Sequence, residues 1–228
     1  MQPLDARTGF GLNSMTAGKK INTILTLLKK EYPQAKIALQ FKNNWQLLVA
    51  VVLSAQCTDK QVNIVTHSLF KKYKTIQDYA KANLKTFESD IRSTGFYRNK
   101  AKNIIAAAKE ILKNFNGKIP DTMEKLIQLP GVARKTANTV LFNGFGKVEG
   151  VAVDTHVRRL SQRLGLSKNN NPDKIEQDLI KILPKKEWGK FSYLFIEHGR
   201  SICIAKKPQC LECVLGKICP SRKIFYPC

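Results

Sequence analysis

Four cysteines, Cys203, Cys210, Cys213 and Cys219, fall within 17 residues, with six, two and five residues between them. Four thiolates in so short a loop can converge on one metal centre. Tetrahedral zinc favours paired Cys-x-x-Cys knuckles, whereas an iron-sulfur cluster is larger and tolerates unequal spans between its ligands. Only Cys210 and Cys213 form such a pair, which favours the cluster. Unligated loop thiols are the alternative, but free Cys favours burial and this loop is hydrophilic and basic. Lys206, Lys207, Lys217, Arg222 and Lys223 lie in or beside it. They would offset thiolate charge, and Lys206 and Lys207 could also face phosphate; a solvated charge run is the other reading.

A second chemical feature sits upstream. LIQLPGVARKTANTVLF, residues 126–142, reads as a helix, a Pro-Gly turn and a second helix. Gly131, Val132 and Ala133 make the turn, and Arg134, Lys135 and Thr136 open the next helix. Backbone N–H groups at such a start are unpaired, which suits a phosphate oxygen, either directly or through a bridging monovalent cation. The helix dipole and adjacent Arg134 both disfavour an ammonium at Lys135, bound phosphate would favour it, and an uncharged amine is a nucleophile. A plain surface or phosphate-contacting charge is the competing reading for one lysine among many. Nineteen residues on, Asp154 precedes a helix expected from Thr155. It is an N-cap by type, and it could also partner Lys135 by stabilising positive charge on a sugar or activating the amine. His67, His156 and His198 show no metal-ligand spacing and read as structural or surface residues.

The elements that must position these groups are helical throughout. Ile21, Ile24, Leu25 and Leu28 share one face of a helix that stops before Pro33, and residues 45–56 are apolar on nearly every face, as in a helix central to a bundle. Further helices are expected over 59–72, 75–81, 97–115, 133–143, 155–164, 173–182 and 187–198, with no persuasive strand. Cys57 would end the apolar helix as a small buried hydrophobe. Beyond Gly199 the chain is too irregular for a long helix, so metal ligation would organise it. Residues 1–18 read as a loose arm, and Cys228 as frayed.

Across 228 residues, 39 Lys and Arg face 17 Asp and Glu, a net charge of +22, while 43% hydrophobic content excludes wholesale disorder. So strong a positive balance marks a partner of polyanions, nucleic acid first among them. Residues 47–55 are too short to span a bilayer, so no membrane partner is expected. The first 20 residues lack a secretory apolar core, which implies a cytoplasmic protein whose thiols are not cross-linked.

LPGVARKTAN (129–138), VDTH (153–156) and the cysteine spacing together resemble the endonuclease III family of DNA glycosylases and abasic-site lyases, within the helix-hairpin-helix superfamily. LSAQCTDKQVN (53–63) and STGFYRNKAKNI (93–104) are also similar, and the resemblance runs from about Met15 to Arg222. It implies an all-α fold of two domains with a DNA-binding cleft between them. One is a six-helix barrel with the hairpin, residues 37–147; the other, an iron-sulfur cluster domain, joins 19–36 to 148–228. It implies a [4Fe-4S] cluster on the four cysteines, Lys135 as the amine that forms a Schiff base with the sugar, and Asp154 as the catalytic carboxylate. Gln56 would fill the gap left by an extruded nucleotide, and Phe96 would act as a wedge. The partner implied is double-stranded DNA carrying damaged bases or abasic sites, bound by a monomer, with a bacterial or archaeal nucleoid as its setting. Ala133 stands where many members have glycine, so the turn must hold a geometry that a Cβ tolerates there. A monofunctional mismatch glycosylase is the nearest alternative and lacks the hairpin lysine. A noncatalytic iron-sulfur DNA-binding protein would need neither Lys135 nor Asp154.

Overall fold

The computed structural model describes residues 17–226, and every regular element among them is helical. The main helices are α1 (Ala17–Glu31), α2 (Asn44–Leu53), α3 (Asp59–Lys72), α4 (Ile76–Ala80), α5 (Leu84–Asp90), α6 (Tyr97–Asn114), α7 (Met123–Leu126), α8 (Arg134–Phe145), α9 (Thr155–Arg163), α10 (Pro172–Ile182), α11 (Trp188–Ser201) and α12 (Arg222–Phe225). Short polar side chains set many of the starts. Asn43, Thr58, Thr75, Asn83, Asp154 and Asn171 each accept a first-turn backbone N–H, worth about 1 kcal/mol per cap.

Two separate apolar cores account for two helical domains. The first gathers α2 to α8, with Leu47, Leu48, Leu53, Tyr79, Phe87, Ile104, Ala108 and Leu141 buried in it. The second joins the N-terminal α1 to α9, α10 and α11 through Ile21, Leu28, Val157, Leu179, Phe191 and Phe195. Ala35 belongs to the second and Leu39 to the first, so the chain crosses between them there, and it has returned by Val151. The first core is built round a helix apolar enough to be enclosed: seven consecutive residues of α2, Leu47–Leu53, are buried.

Several expectations are corrected. Helix α1 begins at Ala17, so the last two residues of the expected arm are helical; the rest of the arm and Cys228 lie outside the described residues. Helix α2 ends at Leu53 instead of Gln56, because Ser54 and Ala55 turn their N–H groups back onto Ala50 and Val52 and Gln56 takes φ +53°. Cys57 therefore lies half-buried in the turn after the helix. Helix α5 was not anticipated: it presents only Leu84 and Phe87 to the core over seven residues, too short a run for periodicity to register. The single turn α12 follows the cysteine loop.

Within the first core, the hydroxyl of Tyr79 is fully enclosed and has no hydrogen-bond partner among the described residues, and its ring packs on Trp45, Tyr73 and Phe87. An unpaired buried polar atom costs about 1–3 kcal/mol. Tyr79→Phe is therefore expected to leave stability unchanged or raise it by about 1 kcal/mol, read from denaturant melts. A loss beyond that would mean the hydroxyl is satisfied in solution.

Candidate active site and thiol centre

A cavity of about 310 Å³ opens between the two cores, and it is lined from both sides. From the first come Gln56, Lys135 and Asn138; from the second come Asp154, His156 and Tyr193. Lys135 is exposed in the first turn of α8 and makes no ion pair among the described residues. Asp154 caps α9 through Oδ1, which accepts the Val157 N–H at 2.8 Å. No other hydrogen bond of its carboxylate occurs among the described residues, so Oδ2 is left for a ligand in the cavity. The cap and the second role read from sequence are thus sterically compatible. His156 lines the same space; burial lowers its pKa, opposed by the Asp154 charge, and its Nδ1 faces Arg159 Nη2 at 3.2 Å.

The hairpin explains why the amine stands where it does. Gly131 holds φ +79° and lies so close to Asn103 that an added Cβ would sit 2.8 Å from that side chain, so only glycine fits the turn. Ala133 holds φ −92° and ψ 170°, an extended geometry that a Cβ tolerates, and it starts α8 without a side-chain cap. The first amides of α8 are therefore open to an anion. Val132 departs from the expected set: it is buried and gives its N–H to Leu129 O at 3.1 Å, so that amide is not free for phosphate. Thr136 is half-buried in the same turn.

Arg134 also differs from expectation. Its guanidinium grips Glu176 of α10, with Nε to Oε2 at 3.0 Å and Nη2 to Oε1 at 3.1 Å. Asn138 Nδ2 adds a bond to Oε1 at 2.9 Å. The guanidinium is thus committed to a buried carboxylate that ties α8 to the second core. It also brings Lys135 less uncompensated like charge than the sequence implied. Glu176, Asn138 and the Asp59–Arg200 ion pair at the cavity mouth, 2.7 Å long, were not foreseen. Glu176 borders the apolar face of Ile175 and Leu179, and an acid flanking such a face in so basic a chain was the available signal.

Gln56 and Phe96 both hold left-handed backbone, φ +53° and +48°, at about 1–2 kcal/mol for each non-glycine residue. Gln56 reaches the cavity of Lys135 and Asp154, whereas Phe96 stands outside it with 64% of its surface exposed. Lys206 and Lys207 are exposed on the cysteine loop and do not border the cavity.

The four cysteines surround a second, small cavity closed by Leu160, Leu215 and Phe225. None is in a disulfide among the described residues. Burial raises the pKa of Cys210 and Cys219, and pushes Cys213 up to about 11. Among the described residues no group of three or more His, Cys, Asp or Glu side chains converges closely enough for a single metal ion; the four thiols line one small shared space. Arg163 fixes this loop: its Nη1 meets Cys203 Sγ at 3.3 Å and Ile204 O at 2.8 Å, and Nη2 meets Ala205 O at 2.7 Å. Arg159 Nη2 adds Cys203 O at 3.0 Å. Both arginines belong to α9, so the helix that Asp154 caps also staples the thiol loop. His198 is buried with Nε2 3.4 Å from Cys213 Sγ and Nδ1 3.1 Å from the Tyr32 hydroxyl, and burial lowers its pKa to about 4.

Two helical cores, with a hairpin lysine and a helix-capping aspartate opening on the cleft between them, define a helix-hairpin-helix protein of the base-excision class. The family model for the HhH-GPD superfamily of base excision DNA repair proteins matches residues 49–185. The chain belongs to that superfamily and, within it, to the endonuclease III family. It is 52% identical to endonuclease III of Synechocystis sp. over 92% of this chain and 96% of that protein. It is also similar to endonuclease III in a non-covalent complex with DNA, at 44% identity and a TM-score of 0.88 over 92% of this chain and 98% of the other. A trapped covalent intermediate of endonuclease III with DNA matches with the same identity and TM-score, over 92% and 99% of the two chains.

Proposed function

We propose that this protein is a bifunctional DNA glycosylase and abasic-site lyase of base excision repair that removes oxidised pyrimidines and then cuts 3′ to the abasic site. The observation that carries this reading is the placement of Lys135 and Asp154, from different cores, on one cavity, in a chain similar to a protein trapped covalently on DNA. In this reading Lys135 Nζ attacks C1′ of an extruded nucleotide while the C1′–N bond breaks and its electron pair leaves with the base. The free oxygen of Asp154 stabilises the cationic sugar carbon. Loss of a proton from nitrogen and ring opening give the Schiff base; loss of a C2′ proton then expels the 3′ phosphate by β-elimination, and water releases the amine.

Double-stranded DNA with damaged or missing bases is the proposed partner of a monomer. The open amides of α8 and of Gly131 and Ala133 receive backbone phosphate, with a monovalent cation at the hairpin where one is needed. Thr136 lies in that turn, and Lys206 and Lys207 are exposed to the same polyanion. Gln56 occupies the space vacated by the nucleotide, and Phe96 wedges the duplex. The domain boundaries proposed are residues 37–147 for the barrel and 19–36 with 148–228 for the cluster domain. A cytoplasmic, bacterial setting is inferred from the relatives.

Cys203, Cys210, Cys213 and Cys219 fit a [4Fe-4S] cluster, supported by the shared cavity, the absence of any disulfide among them and the arginines that offset thiolate charge. Such a cluster would supply structure to the basic loop by bonding its four ends together. Protein purified without oxygen is expected to absorb broadly near about 400 nm, and Cys213→Ala to lose that band. A colourless parent protein carrying zinc would overturn the assignment.

The functional reading is tested with duplexes containing a single thymine glycol or a single abasic site. Both are expected to be cut with the 3′ terminus left by β-elimination. Release of the base without any strand cleavage would favour a monofunctional glycosylase, and no reaction on either would end the enzymatic reading.

A further inference from the structure

Lys100 sits inside α6 with only 4% of its surface exposed. A lysine so deep is ordinarily paired with a carboxylate, yet its Nζ donates instead to two carbonyls, Leu53 O and Thr94 O, both at 2.8 Å. Among the described residues neither oxygen receives a backbone donor. Leu53 closes α2, and the Cys57 N–H four residues on, which a continuing helix would give to Leu53, goes to Ser54 O at 3.1 Å, while Thr94 closes a 3-10 turn. One ammonium thus satisfies the orphaned ends of two elements that lie far apart in sequence.

The residues just beyond each carbonyl give the arrangement its meaning. Three residues after Leu53 stands Gln56, and two residues after Thr94 stands Phe96, both in the left-handed region. Strained residues of this kind persist only where their surroundings over-determine them. A second tie, Gln61 Nε2 to Ser93 Oγ at 2.9 Å, joins α3, the helix that follows Gln56, to the turn before Phe96.

We propose that Lys100 is a positioning residue that locks the Gln56 and Phe96 segments to each other, so that plug and wedge enter the duplex as one rigid unit. The inference rests on the glycosylase reading and on the roles assigned above to those two side chains. It separates the two halves of the reaction. Removing a base requires unpairing and unstacking it, whereas an abasic nucleotide has no base to extract.

Lys100→Met keeps the stem and removes the donors. It is expected to slow release of thymine glycol by about 30-fold while leaving incision at a preformed abasic site within about threefold of the parent, with the loss falling on kcat. In a Gln56→Gly/Phe96→Gly background the same change is expected to add little, because the groups it aims are gone. Should the Met variant fail to fold in a thermal melt, Lys100→Arg is assayed instead, since a planar guanidinium cannot reproduce the ammonium's contacts to both carbonyls. Selective loss of base release by either variant supports the proposal. Equal loss of both activities, or no loss from a folded variant, overturns it. A parent protein inactive on both substrates overturns the functional reading and this inference with it, which keeps the two failures apart.

Discussion

Lys135→Ala is expected to abolish the covalent adduct that borohydride traps between the parent protein and abasic-site DNA, and to lower strand incision by about 10³-fold or more. The side chain is exposed in the first turn of α8 and makes no ion pair among the described residues, so its removal costs the fold little and any loss reports on chemistry. Asp154 needs a subtler substitution, because Oδ1 also holds the N-terminus of α9. Asparagine caps a helix about as well as aspartate. Asp154→Asn therefore keeps the cap and removes the charge: incision is expected to fall by about 10–100-fold while the melting temperature stays within about 2 °C. An adduct that survives in Lys135→Ala would place the nucleophile elsewhere, and an unimpaired Asp154→Asn would reduce that residue to its cap.

How much of this was legible in the sequence depends on the range of the interaction. Helix α3 has the expected bounds, because Thr58 caps its start and Val62, Val65 and Leu69 repeat at helical spacing. Lys135 and Asp154 stood out through local features, a hairpin and a helix start, and the fold places both on one cavity. The cysteine spacing was equally local, and its four thiols ring one space. The end of α2 was misjudged because left-handed backbone at Gln56, a non-glycine residue, leaves no signal in residue type. Lys100 was the larger omission, and for Arg134 it was the partner that went unread. A lysine in a helix reads as a solvated charge, and nothing near Lys100 in the chain announces that α2 and the turn before α6 end on it with unpaired carbonyls. Arg134 read only as a charge beside Lys135 because its partner Glu176 lies 42 residues away. Long-range pairing of polar groups, which decides what each cation is available to do, is the information that periodicity and spacing lack.

That pairing leads to the largest expected effect on stability. The Glu176 side chain is 4% exposed and accepts three bonds, two from Arg134 and one from buried Asn138. The fit is tight: a Cβ at Gly150 would lie 2.0 Å from Oε1. Glu176→Ala strands the Asn138 amide, whose Oδ1 already lacks a partner among the described residues, and frees Arg134. Because the Arg134 side chain is 38% exposed, water screens part of its loss, and the total is expected near 3 kcal/mol. For a chain of this size that is a fall of about 6–12 °C in melting temperature. Arg134→Ala is expected to cost more, since it abandons a carboxylate far more deeply buried than the cation it removes. The double variant should then recover about 1.5 kcal/mol or more relative to the sum of the two single losses. Additive losses would mean that the pair is incidental to holding α8, and with it the amine of Lys135, against the second core.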